Sequence, residues 1–187
     1  QPAVAGDLVY AGLLDGRVVA LDRATGAPRW QFQTGNPIYR SFSVLDGRVY
    51  FGSGDKVLYA LDAASGRHLW SFSTDGWVRS TPAVSEGRLF FTSDDQSIYF
   101  IDARSGRQLL RFRTGRTLAT SPVVAGAAVY QVARDGRLFV LDGKAHDFPL
   151  EYQFRVFWGQ MFIWGLAPLP TPYSGSKWTY TNVRDIE

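Results

Sequence analysis

Short apolar runs alternate with turn-forming residues along this chain, and the alternation itself repeats. Set in rows of 40 beginning at residues 1, 41, 81 and 121, the sequence aligns without insertion or deletion. Leu8-Val9-Tyr10-Ala11 falls over Arg48-Val49-Tyr50-Phe51, Arg88-Leu89-Phe90-Phe91 and Ala128-Val129-Tyr130-Gln131. Arg17-Val18-Val19-Ala20 falls over Val57-Leu58-Tyr59-Ala60, Ser97-Ile98-Tyr99-Phe100 and Arg137-Leu138-Phe139-Val140. Each row holds four such runs, rich in Val, Leu, Tyr and Phe and bounded by Gly, Asp, Asn or Pro, which reads as four strands. No window sustains a period of 3.6, so no helix is expected.

Four strands per 40 residues is the unit of a β-propeller: an all-β chain of four to five four-stranded antiparallel blades, a partial or small propeller. A lone four-stranded sheet leaves both faces in water, whereas blades stacked around an axis bury them. Asp15-Gly16 and Asp135-Gly136 are expected to form two-residue type I′ hairpin turns, with Asp46-Gly47 and Glu86-Gly87 marking the preceding hairpin. Residues 1–155 are read as four repeats and residues 156–187 as a closure strand or docking tail. The tail is aromatic and proline-rich, with Trp158, Phe162, Trp164 and Trp178 as large groups that need a partner surface.

The most regular stretch runs from Ala20 to Trp30 and recurs from Ala60 to Trp70. It is partial from Phe100 to Leu110, and only its start survives at Val140 to Asp142. Its aspartates Asp22, Asp62, Asp102 and Asp142 keep the 40-residue spacing, and Gly26, Gly66 and Gly106 follow in Thr-Gly or Ser-Gly turns that suit a left-handed backbone. Trp30 and Trp70, with Phe32, Phe72 and Phe112, are read as inter-blade packing. These rows resemble the pyrroloquinoline-quinone (PQQ) family of β-propellers, whose tryptophan-docking motif runs Ala-x-Asp-x-x-(Thr/Ser)-Gly-x-x-x-Trp. The family includes quinoprotein dehydrogenases, the outer-membrane assembly lipoprotein of Gram-negative bacteria, and sensor ectodomains of receptor kinases. The resemblance implies a periplasmic or otherwise extracytoplasmic protein. A fragment of a PQQ- and calcium-dependent dehydrogenase and a stress-sensor ectodomain are the alternatives to a non-catalytic scaffold.

Composition narrows these readings. The chain has 187 residues, 45% of them hydrophobic, and a net charge of +3. Its arginines are scattered through every repeat, so no basic block suits a nucleic-acid arm. There is no cysteine. That excludes disulfides, thiol chemistry, a lipid-modified cysteine and the adjacent-cysteine disulfide that the resemblance places against the quinone in several dehydrogenases. No stretch is long and apolar enough for a spanning helix. The chain opens at Gln1 inside the first row, as a processed or excised end does. His68, read as part of a surface turn, and His146, in the decayed one, have no partner at metal or triad spacing, and Asp94-Asp95, the adjacent carboxylate pair, reads as a solvated turn. No cofactor and no catalytic residue is expected, and the chain leans away from being an enzyme.

Propeller geometry does suggest a surface. Loops between blades and the hairpins between second and third strands emerge on one face. That face is expected to gather Tyr39, Arg40, Trp77, Arg79, Arg116 and Arg134, residue types enriched at protein interfaces. The expected partner is a protein, or a second copy covering the open ends of the stack.

Overall fold

The computed structural model describes residues 1–118 and 120–144. Each row of 40 becomes one sheet. The first contains β1 (Ala3–Ala5), β2 (Leu8–Gly12), β3 (Arg17–Asp22) and β4 (Pro28–Gln33). The second contains β5 (Ser43–Leu45), β6 (Arg48–Gly52), β7 (Val57–Asp62) and β8 (His68–Ser73). The third contains β9 (Ala83–Ser85), β10 (Arg88–Ser93), β11 (Ser97–Asp102) and β12 (Gln108–Arg113). The fourth shows β13 (Val123–Ala125), β14 (Ala128–Val132) and β15 (Leu138–Asp142). Every sheet is an antiparallel meander in chain order. The expected fourth strand of the last row, at residues 151–154, and the whole 156–187 tail lie outside the described residues.

The short strands β5 and β13 flank β9, which marks the inner edge of the stack. Hydroxyls at the 40-residue period lace this edge: Ser41 N donates to Thr81 Oγ1, Thr81 N to Ser121 Oγ, and the Ser43 hydroxyl to the Pro82 carbonyl. Alternation along the strands then decides the core, because a strand presents successive residues to opposite faces. Tyr10, Val18 and Ala20 of the first sheet pack against Val49, Phe51 and Leu61 of the second. Tyr50, Leu58 and Ala60 in turn meet Leu89, Phe91, Tyr99 and Ile101. Phe90, Ile98 and Phe100 continue the pattern against Val129 and Phe139. Burying each Val, Leu, Ile or Phe among them is worth about 1.5–3 kcal/mol.

The periodic aspartates hold the outer turns. Asp22 Oδ1 accepts from the backbone N of Ala24 and Thr25 and from the Thr25 hydroxyl, and Asp62 and Asp102 accept the backbone N and hydroxyl of Ser65 and Ser105. These bonds keep the Asp62 and Asp102 carboxyls below the usual carboxylate range, the Ser65 and Ser105 hydroxyls contributing most. Asp22 is lowered further, first by the Arg29 guanidinium 2.7 Å away.

The turn so formed carries the next contact. Trp30 lies across Gly66 of the following blade, and Trp70 across Gly106: a Cβ built on either glycine would stand 2.6 Å or 2.7 Å from the indole. The indole nitrogens donate to the carbonyls of Ala63 and Ala103 at 3.0 and 3.2 Å, which also receive the hydroxyls of Tyr10 and Tyr50. Phe32 meets Tyr59 edge-on, Phe72 meets Tyr99, and Phe112 meets Phe139, so these aromatics do join neighbouring blades.

Two expectations need correction. Asp15-Gly16 and Asp135-Gly136 do not form two-residue type I′ turns, because only the glycines have positive φ, 86° in each case. The Leu13 N donates to the Arg17 carbonyl across a three-residue loop, and Gly16 takes its left-handed position. Asp46-Gly47 and Glu86-Gly87 have the paired positive φ of type I′ turns. His68 is the first residue of β8 rather than part of a turn, and its ring stacks on Phe32 at 6.2 Å.

Candidate interaction site on the loop face

A second periodic aspartate, in the hairpin between second and third strands, builds the loop face. Asp15, Asp55, Asp95 and Asp135 each accept, through Oδ1, the backbone N two residues on. The other carboxylate oxygen is free to reach outward. Asp55 Oδ2 accepts Gly35 N from the first inter-blade loop and the Tyr59 hydroxyl at 2.8 Å. Asp95 Oδ2 accepts Asp75 N, the Tyr99 hydroxyl and Arg111 Nη2 at 3.0 Å. Burial, followed by these hydrogen bonds to carboxylates, pushes the Tyr59 and Tyr99 hydroxyls above the usual phenol range.

Backbone bonds complete the tie between loops and hairpins. Ile38 N donates to the Leu13 carbonyl, Val78 N to Ser53, Asp94 N to Trp77 and Arg134 N to Thr117. Thr34, Thr74 and Thr114 donate their hydroxyls to Gly16, Lys56 and Gln96 carbonyls. The side chains on this face therefore project from a pinned backbone.

Tyr39, Arg40, Arg79 and Arg134 come together around one cleft of about 320 Å³. Ser80, Thr92, Asp94, Thr117, Leu118 and Thr120 complete its walls. Trp77 stands at the rim, its ring 6.1 Å from that of Tyr39 and nearly parallel to it, and both are about 40% exposed at 43% and 39%. Arg79 lies over the Trp77 ring at 5.3 Å and pairs with Asp94 at 2.6 Å. Arg40 Nε donates to the Arg79 carbonyl, and neither Arg40 nor Arg134 has an ion pair among the described residues. Arg116 does not join the cleft; it pairs with Asp135 at 3.4 Å. Trp158, Phe162, Trp164 and Trp178 lie outside the described residues.

Asp94 does lie in the hairpin turn, but its carboxylate is turned into the cleft against Arg79 rather than left to solvent. The signal for Ser80 and Thr120 was present: they share a column with Arg40 in the 40-residue rows. Beneath Thr120 lies Gln131, 1% exposed, where the preceding rows have Phe51 and Phe91. Its Nε2 donates to Thr120 and to the Val132 carbonyl, while Oε1 meets no donor among the described residues.

The donor set tests the cofactor of the dehydrogenase alternative. Calcium requires six to eight oxygens, with carboxylates prominent. This cleft has one carboxylate, Asp94, and Arg79 already occupies it. Among the described residues no three His, Cys, Asp or Glu side chains gather as a metal site. The cleft residues thus do not fit the calcium of that cofactor.

Comparison with known proteins agrees with the architecture. A family model described as outer membrane protein assembly factor BamB matches residues 76–147, and one described as the β-propeller domain of glucose, ethanol and alcohol dehydrogenases matches residues 1–79. No curated protein sequence matches significantly. Among solved structures, BamB from Moraxella catarrhalis superposes with a TM-score of 0.66 at 23% identity, over 76% of this chain and 45% of its own. The computationally designed Ika4 protein gives 0.70 at 19% identity, over 75% of this chain and 88% of its own. Quinohemoprotein alcohol dehydrogenase from Comamonas testosteroni gives 0.66 at 18% identity, over 79% and 34%. The chain spans less than half the length of that BamB, and these identities establish the fold alone. Over residues 1–147 the 40-residue units are repeats of the PQQ-like β-propeller family, the type shared by assembly-factor and dehydrogenase propellers.

Proposed function

We propose that this chain is a non-catalytic, extracytoplasmic propeller module whose loop face docks a protein partner. The Tyr39–Trp77 stack carries this reading. Two large aromatic rings stand part-exposed on a pinned backbone, edged by Arg40, Arg79 and Arg134. Aromatic residues and arginine are the types that dominate binding energy at protein interfaces.

The columns of the repeat add support. Positions that hold blades together keep their chemistry, as Thr34, Thr74 and Thr114 do, and so do Ile38, Val78 and Leu118. Beside them, Pro37, Trp77 and Thr117 diverge, as do Arg40, Ser80 and Thr120. Diversity on an otherwise repetitive scaffold fits a face adapted to one partner. The similar BamB structure belongs to an assembly factor by name, which agrees with a docking role. Among the described residues no helix is long and apolar enough to cross a membrane.

The dehydrogenase reading draws on the match over residues 1–79. The calcium of its cofactor finds no oxygen set in the cleft, so docking is favoured. A photo-reactive amino acid placed at Tyr39 or Trp77 in the producing cell should cross-link to one discrete protein, or to a second copy. The same probe at Ala24, in the outer turn, should not. Equal labelling from both positions would remove the docking face, and heat saturating at one PQQ per chain in the presence of Ca²⁺ would restore the enzyme reading.

A further inference from the structure

The cleft has a charge balance that specifies what it takes. Three guanidiniums, from Arg40, Arg79 and Arg134, line it against one carboxylate. Asp94 is consumed by Arg79 at 2.6 Å. Two cationic groups remain uncompensated, and their guanidiniums offer paired N–H donors in a planar fork that matches a carboxylate. Arg40 is held by its Nε on the Arg79 carbonyl, which leaves both terminal nitrogens for a ligand. The remaining walls are largely hydroxyl-bearing: Ser80, Thr92, Thr117 and Thr120. The buried Ser80 hydroxyl is already spent on the Thr92 backbone, so the floor is fixed rather than adaptable.

We infer that this cleft binds an acidic peptide segment of the partner, with carboxylate side chains on Arg40 and Arg134 and the chain running past the Tyr39–Trp77 rim. The inference rests on the protein-docking reading and names its partner's chemistry. A nucleic acid is the competing polyanion. It needs a continuous cationic track, and here Asp75, Asp94 and Asp135 interrupt the same face. A peptide needs only two or three fixed charges with apolar contacts between them, which this face supplies.

The probe is fluorescein-labelled hexaglutamate, followed by anisotropy with the full chain. It should bind saturably, and hexaglutamine should not. Affinity should fall as ionic strength rises from about 0.01 M to about 0.15 M, where the screening length shortens from about 30 Å to about 8 Å. Arg40→Gln together with Arg134→Gln should weaken binding by about tenfold or more, roughly 1.4 kcal/mol. Both side chains are exposed and lack ion pairs, so thermal unfolding of the double variant should match that of the parent. Arg67→Gln, in an outer turn, should leave affinity unchanged.

Three results would overturn the inference: no binding at low salt, equal binding by the double variant, or tighter binding of a labelled oligonucleotide than of hexaglutamate. Displacement by citrate at matched carboxylate concentration would also overturn it, in favour of a small polycarboxylate. Failure of hexaglutamate with cross-linking at Trp77 intact would sink this inference and spare the docking reading. Failure of both would sink both.

Discussion

Gly26 and Gly66 occupy the same place in successive blades and have nearly the same backbone, with φ of 72° and 71°. What differs is what lies above them. The indole of Trp30 covers Gly66 so closely that no Cβ fits, whereas a Cβ on Gly26 would meet nothing within 4 Å. The difference extends over the whole sheet face. Val49, Phe51 and Leu61 are fully buried, while their counterparts Val9, Ala11 and Leu21 are only half-buried. Equivalent positions of the repeat therefore have unequal energetic weight, set by whether a neighbouring blade is present. The last joint shows a third arrangement. Phe90 and Leu110 stand where the earlier joints have Tyr and Trp, and what persists is the arginine bond: Arg88 Nη1 donates to the Gly143 carbonyl at 2.7 Å, as Arg48 Nη1 does to the Ala103 and Arg104 carbonyls.

The largest test of this contrast is Gly66→Ala. It combines a left-handed backbone with a clash against an indole, and should cost about 3 kcal/mol in denaturant unfolding. Gly26→Ala carries only the backbone penalty, about 1 kcal/mol. Equal losses would mean that Trp30 does not restrain Gly66 in solution. Next, Leu61→Ala should cost about 3 kcal/mol and Leu21→Ala about 1 kcal/mol, because only the first leaves a sealed cavity. If a partner or second copy covers the first blade, adding it should raise the Leu21→Ala cost toward that of Leu61→Ala.

Trp30→Phe keeps a ring over Gly66 but removes the donor to the Ala63 carbonyl. Tyr10 still donates to that oxygen, so the loss should be about 1 kcal/mol or less. A larger loss would assign the joint to the indole's size rather than its hydrogen bond.

The smallest effect is the pH dependence. Tyr59 and Tyr99 hold their protons more tightly folded than unfolded, through burial and their bonds to Asp55 and Asp95. Their contribution is complete below about pH 10 and is lost as pH rises further. The first blade has Val19 in this column, so Tyr59→Phe with Tyr99→Phe should flatten the alkaline limb of the stability profile. Asp62 and Asp102 work in the opposite sense: their contribution is present above about pH 4 and lost as pH falls. Ser65→Ala with Ser105→Ala should soften that acid limb and leave the alkaline one unchanged. An alkaline limb that moves with the serine pair would show that the two ends of the blade are coupled.

The repeat period, the strand count per unit and the packing role of Trp30 and Trp70 were all present in the order of the residues. A 40-residue recurrence of apolar runs can bury its faces in few ways, so local pattern and global fold coincide. The aspartate at 22, 62 and 102 was legible for the same reason: the bonds that form its turn reach only two or three residues along the chain. The hairpins were misjudged at Asp15 and Asp135 because Asp-Gly suits both a type I′ turn and a three-residue loop, and strand register chooses between them. The loop face was half legible. Sequence spacing placed Tyr39, Arg40, Trp77, Arg79, Arg116 and Arg134 at one end of the stack. It could not show that Arg79 would take Asp94, that Arg116 would turn to Asp135, or that Arg40 and Arg134 would have no ion pair among the described residues. Those outcomes depend on each inter-blade loop meeting the hairpin of the following blade, at distances fixed by how sheets stack. Pairing along a strand follows from sequence; pairing between an inter-blade loop and the hairpin of the next blade is decided only when the blades close on one another.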